Sequence, residues 1–185
     1  DHAMLHLAYA AGLRVSELTG LQLGDIRQPA VDQIHVLGKG RRERVLPLWK
    51  ETQAVLKDWL RIRPRSDNSA VFLNHRGEAM GRYGVASRLA VHIQTAQRTV
   101  PSLARKRVSP HVLRHTCAIH TLEATGDIRR VALWLGHSSI LSTEIYLRID
   151  PAQKLDILDA GKAPQIQRGT FTGVSDRLLT MLATA

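Results

Sequence analysis

Residues 109–136 constrain the fold more than any other stretch. The run "SPHVLRHTCAIHTLEATGDIRRVALWLG" places helix starts and stops at short intervals. Ser109 can cap a helix, Pro110 suits its first turn, and Gly126 stops it. Asp127 then caps a second helix, "IRRVALWL", and Gly136 leads into a turn carrying His137. Ser138 or Ser139 caps a third helix, which carries Tyr146.

The rest of the chain repeats this grammar, with one exception. "HAMLHLAYAAG" has apolar residues at helical spacing and stops at Gly12. Ser16 and Glu17 open a short second helix. "KETQAVLKDWLRIR" is amphipathic and ends before Pro64, and residues 83–98 predict another helix. The exception is "VDQIHVLGKGRRERVLPL", where "QIHV" and "RVLPL" are β-like around a "GKGRR" turn. A short strand, "AVFLN", and a basic loop, "RTVPSLARKRVSP", complete the first part. After Pro151 come a helix, a linker-like "GKAPQIQRGTFTG" and a small amphipathic helix. No internal repeat is visible. The expected fold is α+β but mainly α, with one small antiparallel sheet. Residues 1–150 form the main domain and 151–185 a helical extension.

At 185 residues the chain can build one domain with a real core, plus an appendage. Its 26 Lys and Arg outnumber 16 Asp and Glu, leaving a net charge of +10. That excess points to a polyanionic partner, nucleic acid before membrane, with a merely soluble basic protein as the competing reading. Cys117 is the single cysteine, so neither a disulfide framework nor a thiolate metal cluster can form within one chain. No apolar run approaches the roughly 20 residues of a membrane span. No secretory signal is visible, so a reducing cytoplasm is the expected setting. The chain starts at Asp1, inside a predicted helix and without methionine. The expectation is a fragment preceded by further residues.

Six side chains stand beside these structural signals. Arg14 lies in the helix corner "GLRVSEL" and Lys39 at the hairpin tip. His111 and Arg114, three apart, share a helix face. His137 and Tyr146 follow. Two arginines can clamp the non-bridging oxygens of a phosphate. A tyrosine can attack phosphorus if a histidine accepts its proton, and a lysine can protonate the leaving oxygen. The set suits attack on a phosphodiester with no metal and no cofactor. No compact Asp/Glu cluster suggests a two-metal nuclease. Taken singly, each residue also has a plainer reading. Arg14 reads as a salt-bridged corner residue, the "KGRRER" run as a solvated face, and Tyr146 as a packing tyrosine. His111 and His115 have zinc-pair spacing, but Val112 stands where the glutamate of that motif belongs.

The joint pattern decides among these readings. "HVLRHTCAIHTLEATGDIRRVALWLGHSSILSTEIY" resembles the C-terminal signature of tyrosine recombinases, the phage-integrase family. That signature has a HxxR pair, then LGH, then a tyrosine nine residues beyond the histidine, and all three spacings occur here. "AGLRVSELTGLQLGDI" and "GKGRRERVLPL" resemble the family's arginine corner and lysine hairpin. The resemblance covers about residues 1–150.

It implies a catalytic domain of the DNA breaking-rejoining fold. Arg14 and Arg114 would hold the scissile phosphate, with His137 hydrogen-bonding to it. His111 would help move the proton of Tyr146, the nucleophile, and Lys39 would be the general acid. Glu17 would steady Arg14, with an ordinary surface glutamate as the equal alternative. Lys39, Arg41, Arg42, Arg105, Lys106 and Arg107 would contact DNA. The implied enzyme exchanges DNA strands through a 3′-phosphotyrosyl link, as a tetramer on two double-stranded sites and a monomer without DNA. Two alternatives stay open: a type IB topoisomerase-like enzyme, and a non-catalytic accessory or decayed recombinase. Arg148 departs from the family, which often has histidine there, and no counterpart of the family's N-terminal core-binding domain is expected within this chain. The helix bearing Tyr146 is expected to stand away from the site in the free domain.

Overall fold

The computed structural model describes residues 1–38 and 43–136. Lys39, Arg41, Arg42, His137, Tyr146, Arg148 and the extension 151–185 lie outside the described residues, and so do the expectations placed on them.

The first helix, α1 (His2–Ala10), buries Ala3, Met4, Leu7 and Ala8, the helical spacing seen in the sequence. Gly12 ends it in the left-handed region, at φ +57°. A Cβ there would come within 2.5 Å of Leu135 Cδ2 and 3.1 Å of Cys117 Sγ. Glycine is therefore needed twice, for the turn and for the close approach of two later helices. The next helix, α2 (Val15–Gly20), starts immediately, with Arg14 at its N-cap position. Glu17 reaches back to accept the Arg14 backbone N–H at 2.9 Å, the carboxylate half of a capping box.

Two strands follow, β1 (Gln33–Leu37) and β2 (Glu43–Pro47), paired antiparallel. Ile34 faces Leu46 and Val36 faces Arg44. The period of two puts all four on one face of the hairpin. Three of them are buried apolar residues of the core, and the fourth is an arginine.

Beyond the sheet lies α3 (Lys50–Ile62). The expected strand "AVFLN" does not form a ladder. Ala70 bridges Gln22 and Leu73 bridges Ala79, each as an isolated pair. Side chains explain the difference. The Arg63 guanidinium takes the carbonyls of Asn68 and Ala70, and the Trp59 indole N–H takes that of Val71 at 2.9 Å. These acceptors are satisfied without a neighbouring strand.

Three further helices complete the described chain: α4 (Arg82–Ala96), α5 (Pro110–Thr125) and α6 (Ile128–Leu135). The basic loop between α4 and α5 contains a short 3-10 turn, Pro101–Arg105. Ser109 Oγ accepts the Val112 N–H at 3.4 Å, and Asp127 Oδ1 accepts the Arg129 N–H at 2.8 Å, so both predicted caps are in place. The main core joins α1, α2, the hairpin and α3, while Cys117, Ala118, Leu122, Val131 and Leu135 form a second cluster between α5 and α6. Helix α1 packs against both α3 and α5, so it carries the two clusters together. The fold is mainly helical with a two-stranded antiparallel sheet, as the sequence predicts. Among the described residues, no helix is long and apolar enough to cross a membrane.

Candidate active site

The site is built around one buried carboxylate. The Glu17 side chain is 2% exposed, held under the corner between α1 and α2. Its Oε1 accepts from Arg14 Nη1 at 2.8 Å, and its Oε2 accepts the Arg14 backbone N–H at 2.9 Å. Arg44 arrives from β2 and grips both oxygens, Nη1 to Oε1 at 3.2 Å and Nη2 to Oε2 at 2.9 Å. Arg114 arrives from α5, its Nη1 at 3.7 Å from Oε2. Two elements distant in sequence, β2 and α5, thus converge on a side chain of the α2 corner.

Three guanidinium groups thus face one carboxylate. A buried guanidinium is costly unless paired and hydrogen-bonded. Glu17 supplies the pairing, and backbone carbonyls supply more. Arg114 Nη1 donates to the Gly12 carbonyl and Nη2 to the Leu135 carbonyl at 2.8 Å. That arginine therefore ties the end of α1 to the end of α6. Burial by itself would push the Glu17 carboxyl up. The hydrogen bonds from Arg44 and from the Arg14 backbone and side chain, with the Arg44 charge, outweigh burial and hold it below the usual carboxylate range.

Exposure ranks the three arginines. The Arg14 side chain is 36% exposed, that of Arg44 12% and that of Arg114 4%. An anion arriving from solvent meets Arg14 first. The far wall of the cluster is Gly136, in the left-handed region at φ +64°. A Cβ there would lie 2.9 Å from Arg44 Cδ and Nη1. The glycine before His137 thus admits Arg44 against the end of α6.

The structure therefore brings together Arg14, Glu17 and Arg114. His111 lies one turn before Arg114 on α5 and is exposed, its ring 4.3 Å from that of His115 in an edge-on contact. Burial, then the His111 and Arg114 charges, push His115 below its ordinary value. Arg105, Lys106 and Arg107 are exposed in the loop before α5.

Arg44 belongs to the cluster, yet the charge run "RRER" conceals it. A signal was available: Arg44 and Leu46 alternate with exposed Val45, so period two places the arginine on the inward face. Nearby, an apolar groove of about 890 Å³ runs past Tyr9, Trp49, Cys117, Leu133 and Trp134. Arg44 and Arg130 also line it, which joins the groove to the Glu17 cluster through Arg44.

Residues 1–153 match the model of the phage integrase family. The chain belongs to that family. This tyrosine recombinase relative is 42% identical over 182 residues to a putative integrase/recombinase, y4rC, of Sinorhizobium fredii, covering 98% of this chain and 54% of that one. It is 38% identical over 162 residues to the tyrosine recombinase XerC of Actinobacillus pleuropneumoniae, covering 86% of this chain and 51% of that one. The integrase-family chain thus spans about half the length of the curated relatives it matches. Among solved structures, the XerA recombinase superposes with a TM-score of 0.67 at 27% identity, over 88% of this chain and 58% of that one. The XerH site-specific recombinase, solved bound to palindromic difH substrate, matches with a TM-score of 0.65 at 24% identity, over 85% of this chain and 44% of that one. The second likeness bears on the fold alone.

Proposed function

We propose that this chain carries the catalytic machinery of a site-specific DNA recombinase, which cuts and rejoins strands through a 3′-phosphotyrosyl intermediate. The observation that carries the reading is the arginine cluster on Glu17. Guanidinium groups fixed around one buried carboxylate stabilise the charge that builds on a phosphodiester under attack.

The steps follow from the residues. The Tyr146 hydroxyl attacks the scissile phosphorus as its proton passes to His111. A bond forms from the tyrosine oxygen to phosphorus, the bond from phosphorus to the 5′ oxygen breaks, and Lys39 protonates the departing oxygen. Arg14 and Arg114 hold the non-bridging oxygens, joined by His137. The phosphodiester energy is conserved in the tyrosyl link, so attack by a 5′-hydroxyl from the partner strand reseals the DNA without ATP or metal. Lys39, Arg41, Arg42, Arg105, Lys106 and Arg107 contact the duplex backbone. The working assembly is a homotetramer on two DNA sites, formed from monomers when DNA binds. The cytoplasm is its setting.

The test is covalent capture. The protein first enriches its preferred sequence from a random DNA pool. A duplex of that sequence, nicked beside the cleavage point so that resealing fails, is then incubated with it. A protein–DNA adduct is expected, unchanged by EDTA and absent with Tyr146→Phe. An adduct that persists in that variant, or is lost in EDTA, overturns the mechanism.

A further inference from the structure

Arg44 has no step in the chemistry above, yet it grips both oxygens of the central carboxylate. Its guanidinium forks onto both Glu17 oxygens, at 3.2 and 2.9 Å. A two-point grip fixes the plane of a carboxylate, which a single bond does not. Glu17 in turn holds Arg14 by side chain and backbone, and faces Arg114 at 3.7 Å. On its other side Arg44 rests against Gly136, the closing residue of α6. Arg114 binds the carbonyl just before that residue, at Leu135. Both phosphate-facing arginines are thus braced through atoms that Arg44 touches.

Stability does not account for an arginine here. Arg44 occupies an inward position opposite Val36, next to Ile34 and Leu46 on the hairpin face. An apolar residue would continue that row without desolvating a charge. Among the described residues its buried Nε also has no hydrogen-bond partner, a cost an apolar side chain avoids. What the arginine alone provides is the fork.

We propose that Arg44 is a positioning residue of the cleavage site: its fork on Glu17 and its contact with Gly136 set the spacing of Arg14 and Arg114 on the scissile phosphate. The inference rests on the function proposed above. Without the fork, Glu17 is free to turn toward one arginine and release the other. The released guanidinium then meets the phosphate out of line.

The experiment compares the full chain with Arg44→Met, which keeps length without charge, and Arg44→Lys, which keeps charge without a fork. Single-turnover cleavage is measured on the enriched, nicked duplex, alongside affinity for the same DNA. Arg44→Met should cleave roughly 10²-fold more slowly, the usual penalty for a small misplacement of a catalytic group. Its affinity should stay within about threefold of the parent, since one of many phosphate-neutralising charges has changed. Arg44→Lys should recover less than about a tenth of the parent rate, because an ammonium cannot fork. A duplex with sulfur at the 5′ bridging position, whose leaving thiolate needs no general acid, should leave the defect in place. Restoration of the rate by sulfur would mean that Arg44 serves Lys39, and would overturn the proposal. So would parent-like cleavage by Arg44→Met, or by Arg44→Lys if the methionine variant fails to fold.

A second readout needs no cleavage. In protein with nitrogen-15-labelled arginine, the Arg14 and Arg114 Nε–H signals should be sharp and should broaden or shift in Arg44→Lys and Arg44→Met. Unchanged signals overturn the positioning role. Changed signals, with no adduct formed by the parent on its enriched duplex, uphold the brace and count against the cleavage function instead.

Discussion

Replacing Glu17 by glutamine keeps the shape of the cluster and removes its carboxylate charge. The consequence is severe because two of the three partners cannot leave. Arg44 and Arg114 are 12% and 4% exposed, so their charges stay buried where the Glu17 carboxylate no longer offsets them. Arg14, at 36%, can swing into solvent and escape part of the repulsion. The amide also turns a donor toward groups that only donate. Removing one partner of a buried pair costs about 3–5 kcal/mol, and the mobility of Arg14 argues for the lower end, about 3 kcal/mol. For a domain of this size that is a fall of roughly 6–12 °C in Tm.

The pH dependence of stability supplies a second measure of the same charge. The Glu17 carboxyl is held below its ordinary range, so the unfolded chain takes up its proton first as pH falls. Its contribution is complete above the unfolded pKa of about 4.3 and fades as pH drops through the depressed folded value. Urea unfolding of the parent and Glu17→Gln, followed from pH 7 to about pH 3, should show a gap that is widest at neutrality and shrinks only in acid. A gap under about 1 kcal/mol at pH 7, or one that stays constant down to pH 3, refutes the electrostatic account.

The remaining predictions concern neighbouring features. Gly136→Ala should lose about 1–3 kcal/mol of stability, from a strained φ and a Cβ placed against Arg44. Combining it with Arg44→Ala should recover at least about 0.5 kcal/mol relative to additivity, read by urea unfolding, because the Cδ and guanidinium that the new Cβ meets are gone. Replacing Arg105, Lys106 and Arg107 together by alanine should flatten the plot of log affinity against log salt by about 0.9 for each phosphate no longer neutralised, with little change in sequence preference. Cys117 is 6% exposed and burial raises its thiol, so iodoacetamide should modify it at pH 8 roughly 10²-fold more slowly than free cysteine. A rate near that of free cysteine would show that the α5–α6 cluster opens readily.

The parts of the fold that were legible are those decided within a few residues. Ser109 and Asp127 cap α5 and α6 because their oxygens reach backbone N–H groups two or three residues on. Gly12 ends α1 through its own φ, although its second task, admitting Leu135 and Cys117, was invisible in the sequence. The segment "AVFLN" was misread because its apolar, β-branched character was real but its partners were not a strand. Arg63 and Trp59, from the helix and loop before it, take its carbonyls instead. No local pattern records which side chain will satisfy a backbone group from elsewhere.

The site shows the same boundary from the other side. Arg14 and Glu17 are three residues apart in one capping turn, so their pairing follows from helix geometry. Arg44 is 27 residues from Glu17, inside a charge run that reads as a solvated face. Period two puts it inward, but an inward arginine is implausible until a buried carboxylate is known to await it. The carboxylate is undecided alone, since Glu17 reads equally as a brace for Arg14 and as an ordinary surface residue. Each of the two makes sense only through the other. A buried ion pair therefore becomes legible when two improbable residues, an inward charge on a strand and an acidic residue under a glycine corner, are tested against each other rather than singly. In this chain that pairing ties the lysine hairpin to the corner that presents Arg14.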